Sequence, residues 1–117
     1  MVAFPRNAAA PLLGDRKMYG LISKIVAQSN RRDELVKILL AGVGSSLPGC
    51  LNYVVATDPS DPNSIWVTEV WQSKEANGAS FSIPSVSAAM IKGRPLIASF
   101  LRIAETIPVG GLDALHN

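Results

Sequence analysis

The chain has 117 residues, 48% hydrophobic and only 17% charged, and its eleven Lys and Arg against nine Asp and Glu leave a net charge of +2. This length fits one domain whose core needs no disulfide or metal staple. The basic residues are scattered rather than striped, which argues against nucleic acid as a partner, and the lone Cys50 cannot close an intramolecular disulfide, so it reads as a small buried thiol in a cytoplasmic protein.

Residues 1–17 read as an N-terminal extension, because their apolar stretch is too short and interrupted for a membrane span or a signal peptide. No later run approaches membrane length, and the chain is expected to be soluble. Residues 18–28, MYGLISKIVAQ, are rich in β-branched and apolar side chains and predict a first strand. Asn30 is placed to cap a helix over residues 31–46, with Asp33 and Glu34 in its first turn and Leu35, Ile38, Leu39 and Val43 at helical spacing.

Pro48-Gly49 breaks the chain before CLNYVVAT, a second strand, and DPSDPN supplies turn residues before SIWVTEVWQ, a third strand paired with it as a hairpin. The following segment is a broken helix in which Ser73 caps one piece and Pro84 opens another. ASFLRIAETI, residues 98–107, has the composition of a last strand, and residues 108–117 form a Gly-rich tail. The domain over residues 18–107 therefore has βαββαβ order, an α+β ferredoxin-like arrangement with an antiparallel sheet and its helices on one face.

Both sheet faces carry large apolar groups. In the third strand Ile65, Val67, Glu69 and Trp71 share one side, while Trp66, Thr68 and Val70 share the other. Two helices cover one face, so the second calls for another cover, and an isologous homodimer through the sheet faces supplies it.

The stretch TEVWQSKEANGASFSIPSV, residues 68–86, places an acid, a spacer and a Trp at a strand end before a short polar helix and a Pro. In this it resembles the antibiotic biosynthesis monooxygenase family, and the likeness extends over about residues 18–107. The resemblance implies a dimeric α+β barrel with a small pocket between sheet and helices in each subunit. Members include cofactor-free oxygenases of polycyclic phenols, quinol oxygenases and haem-degrading enzymes. Many relatives carry a His about four residues before the equivalent of Pro84. Here that position is Ser80, and the sole His is His116, which counts against axial haem ligation.

No convergent set of metal ligands can be assembled from one Cys, one His and scattered carboxylates. There is no GxSxG elbow for a nucleophile, and GVGSS is not a dinucleotide fingerprint. The leading expectation is a quinol or phenol monooxygenase that needs no cofactor or metal, working on a small aromatic substrate in an apolar enclosure. A non-catalytic dimeric binding module is the alternative, and a haem-degrading enzyme is third.

Glu69 is the candidate base, since burial beside Val67 and Trp71 would raise its pKa. It could instead lie at the pocket rim or pair with Lys24, Arg94 or Arg102. Trp71 could form a flat wall with its indole N–H as a handle, or be plain core. Ser23, Asn52 and Tyr53 are candidate phenolate ligands. Ser80, Phe81, Ile83, Val86 and Met90 are candidate pocket residues, and Arg94 a candidate partner for an oxyanion.

Overall fold

Alternation in the strands decides how this chain layers. Along the first strand Leu21, Ser23, Ile25 and Ala27 are buried, while Ile22, Lys24 and Val26 between them are half-buried. A computed structural model describes residues 17–43 and 47–112. Within them the order is β1 (Tyr19–Ala27), α1 (Arg32–Val43), β2 (Cys50–Thr57), β3 (Ser64–Trp71), α2 (Lys74–Ser80), α3 (Pro84–Gly93), a 3-10 turn (Arg94–Leu96) and β4 (Ile97–Thr106). The antiparallel sheet has the strand order β2-β3-β1-β4, the split arrangement expected of a ferredoxin-like α+β fold. Among the described residues no helix is long and apolar enough to cross a membrane.

The helices lie on the inner face, where Ile25, Ala27, Leu35, Ile65, Val67 and Leu96 make the core. Leu35 and Ile65 are wholly excluded from solvent. Two glycines let α1 and α3 approach closely. A Cβ on Gly42 would lie 2.7 Å from the Cβ of Ala89, and one on Gly93 would lie 3.3 Å from Leu35 Cδ1. The start of α1 is tied to the β2–β3 hairpin by Arg32, whose Nη1 donates to the carbonyls of Asp58, Asp61 and Ser64.

Ser73 caps α2 as its position predicts, its hydroxyl accepting from Ala76 N, and Pro84 opens α3. Three expectations are corrected. Asn30 is not the helix cap: it takes φ 65, a left-handed turn that Asn tolerates. The first helical bond runs instead from Leu35 N to Arg31 O at 3.0 Å. Cys50 is half-buried rather than enclosed. The last strand begins at Ile97 and ends at Thr106, one residue earlier than its composition indicates. The expected extension over residues 1–16, the last residues of the predicted first helix (44–46) and the end of the tail (113–117, with His116) lie outside the described residues.

Candidate functional site

The inner face of the sheet is a grid set by strand register. One row across it reads Tyr53, Glu69, Leu21, Glu105, the next Val55, Val67, Ser23, Arg102, and the third Thr57, Ile65, Ile25, Phe100. Above this floor, α1, α2 and α3 leave a cavity of about 460 Å³ whose walls are mostly apolar. Its most exposed lining residues are Phe81, Met90, Arg94, Phe100 and Arg102, so it opens between the α2–α3 segment and β4.

Glu69 points into this cavity beside Trp71, because residues two apart on a strand share a face. The Trp71 indole N–H donates to Glu69 Oε1 at 2.9 Å, and Trp71 is 1% exposed. The handle proposed for a ligand is thus already engaged in holding the carboxylate. Burial pushes the Glu69 carboxyl above its ordinary value, against the smaller opposing pulls of the indole hydrogen bond and the Arg102 charge. Glu69 forms no ion pair with Lys24, Arg94 or Arg102: among the described residues the sole ion pair is Arg31–Glu34. Lys24 faces the other side, its ammonium 5.5 Å from the Trp66 ring centroid.

Tyr53 lies directly across from Glu69, and burial, followed by the Glu69 charge, raises its phenol well above the usual range. Ser23 is 1% exposed, and its hydroxyl accepts from Arg102 Nε at 3.1 Å. Ser80 lines the cavity, but its hydroxyl donates to the Asn77 carbonyl at 2.6 Å. Phe81, Val86, Met90 and Arg94 also line it.

Two candidates fall elsewhere. Asn52 is exposed and pairs with Val70 on the opposite face of the sheet, since adjacent strand residues cannot share a side. Ile83 lies in a shallower groove beside Pro48 and Gly49. Conversely, Phe100, Asn77 and the cavity-facing role of Arg102 were not singled out from sequence. β4 carries register shifts opposite Val26/Ala27 and Ile22/Ser23, and such bulges re-aim side chains in a way that simple alternation does not register. Asn77 could have been found from its i, i+3 relation to Ser80 on one short helix. Among the described residues no three His, Cys, Asp or Glu side chains come together.

The family model described as antibiotic biosynthesis monooxygenase matches residues 18–90. A solved structure from Chloroflexus aurantiacus J-10-fl, provisionally named an antibiotic biosynthesis monooxygenase, is 54% identical, with a TM-score of 0.76 over 83% of this chain and 98% of that one. A similarly named protein from Caulobacter crescentus CB15 is 22% identical, with a TM-score of 0.71 over 80% of this chain and 92% of the other. A third, from Nitrosomonas europaea, is 15% identical, with a TM-score of 0.69 over 83% and 92%. These two likenesses bear on fold alone. Comparison with curated protein sequences gives no match.

Proposed function

This chain belongs to the antibiotic biosynthesis monooxygenase family, and on that footing we propose that it is a cofactor-independent monooxygenase acting on a small quinol or phenol. The observation that carries the reading is Glu69, a half-buried carboxylate on the floor of an apolar cavity, hydrogen-bonded by Trp71 and left without an ion-pair partner among the described residues.

In the proposed reaction Glu69 accepts the proton of an aromatic hydroxyl. The phenolate then gives one electron to O2, and the resulting radical pair joins to form a C–O–O bond. Cleavage of the O–O bond releases water and leaves one oxygen on the ring carbon. For a hydroquinone the balance is quinol plus O2 to hydroxyquinone plus water. The substrate supplies all four electrons, two from the C–H bond that becomes C–O and two from oxidation of the quinol to the quinone. The enclosure supplies low polarity, which strengthens each local charge interaction.

A homodimer through the outer sheet face is part of this proposal. Val54, Leu101 and Ile103 are 45%, 50% and 51% exposed, with Val54 and Leu101 placed on that face by register and Ile103 in the adjoining bulge of β4. An apolar surface of this kind suits self-association. A monomer by light scattering at micromolar concentration would count against it.

Oxygen uptake by chelator-treated protein, measured against a panel of hydroquinones and polycyclic phenols, tests the activity. Uptake above buffer is expected to survive chelation. Saturable binding without uptake would instead favour the non-catalytic binding module.

A further inference from the structure

The charged groups lining the cavity are unbalanced: Arg94 and Arg102 stand against the single carboxylate of Glu69, whose charged form burial disfavours. Neither arginine takes part in the sole ion pair among the described residues. Glu105, on the same face as Arg102, accepts instead from the Tyr19 hydroxyl at 2.8 Å and is not part of the cavity wall.

Arg102 is also held in place. Its Nε donates to the buried Ser23 hydroxyl, and its guanidinium carbon lies 5.6 Å from the Phe100 ring centroid. The terminal nitrogens, the pair that grips a planar oxyanion in bidentate fashion, make no ion pair among the described residues, although the Tyr19 hydroxyl lies close enough to feel the guanidinium. Arg94, at the end of α3, lines the same open side.

Register sets the spacing. Glu69 is on β3 and Arg102 on β4, with β1 between them, so two strand intervals, roughly 10 Å, lie between their backbones across the sheet, and they stand one row apart along it. An aromatic ring system spans that gap if its hydroxyl faces Glu69 and an anionic substituent faces the arginines.

We infer that the preferred ligand of this cavity is a hydroxylated aromatic carboxylate, its ring lying on the apolar floor and its carboxylate paired with Arg94 and Arg102. This deepens the monooxygenase reading and rests on it for the role of Glu69, whereas the charge preference can be measured without turnover.

The test compares binding of 6-hydroxy-2-naphthoate, whose hydroxyl and carboxylate lie at opposite ends of the ring system, with that of its uncharged amide, 6-hydroxy-2-naphthamide, by calorimetry on the full chain. The naphthoate is expected to bind at least about tenfold tighter, the effect of one charge-assisted hydrogen-bonded contact. Arg94→Gln and Arg102→Gln are each expected to shrink that ratio, and the double variant to abolish it, with amide affinity retained as the sign that the cavity is intact. Arg94→Gln, which leaves the Ser23–Arg102 contact alone, keeps the test decisive should Arg102→Gln unfold.

Equal affinities for the two ligands, an unchanged ratio in Arg94→Gln, or no saturable binding of either ligand at millimolar concentration would overturn the inference. Carboxylate preference without oxygen uptake on any quinol would sink the oxygenase reading alone. Uptake on neutral quinols with equal affinities would sink the carboxylate inference alone.

Discussion

Each face of the third strand sets a Trp indole against a carboxylate, with opposite results. On the inner face the Trp71 indole donates to Glu69 at 2.9 Å, and on the outer face the Trp66 indole donates to Asp58 at 3.0 Å. Both hydrogen bonds favour the ionised carboxylate. Yet Glu69 is raised above its ordinary value, whereas Asp58 is held down at about 2, helped by the Ser60 backbone and hydroxyl donors and by Lys24. Desolvation outweighs the donors at Glu69, whereas the donors outweigh it at Asp58. One indole donor does not offset the desolvation of a carboxylate beside an apolar cavity, and a carboxyl raised in this way has the character that a general base requires.

The largest expected effect separates the two carboxylates by function. Glu69→Gln should lower kcat on an accepted quinol by roughly 10²- to 10⁴-fold, the span of general-base catalysis, with the dimer intact by light scattering. Asp58→Asn should leave turnover unchanged. Retained activity in Glu69→Gln would assign the base elsewhere and leave the indole pair as a structural contact.

Next in size is the packing contrast between the faces. Leu35→Ala, at a site with no solvent exposure, should cost about 2–5 kcal/mol in urea unfolding. Leu101→Asp, on the outer face, should dissociate the dimer in light scattering while the circular dichroism of the subunit persists. If Leu101→Asp remains dimeric, the outer face is not the interface.

Acid dependence divides the pairs further. A carboxyl whose folded pKa is raised is most stabilising when protonated, so the Glu69 contribution should be fully present below 4.5 and fall away as pH rises through its folded value. The Asp58 contribution has the reverse sign: present above 3.8, lost as pH falls through about 2. Urea midpoints of the parent, Glu69→Gln and Asp58→Asn proteins across pH 2 to 8 should show each slope vanish with its own variant. The smallest effect is spectroscopic. In carboxyl NMR titrations Trp66→Phe should move Asp58 from about 2 toward 3.8, and Trp71→Phe should move Glu69 further upward. A downward move for Glu69 would mean that the indole was not its donor.

Much of this arrangement could be read from the chain. Period-two alternation put Glu69 and Trp71 on one face of the third strand, and Ser73 and Pro84 marked the two helix starts. The same rule argues against counting Asn52 and Tyr53 together, since neighbours on a strand point apart. The cationic side of the cavity was harder to see, because the β4 bulges upset its alternation and aim Phe100 and Arg102 inward. Asn30 misled for a different reason. Asn suits both a helix cap and a left-handed turn, and only the backbone path chooses between them.

The closeness of α1 and α3 at Gly42 and Ala89 also bears on the cavity that both residues border. With no side chain at position 42, the two helices roof the sheet at close quarters. Gly42→Ala, whose new methyl would press on Ala89, should prop the helices apart and widen the cavity at a cost in stability.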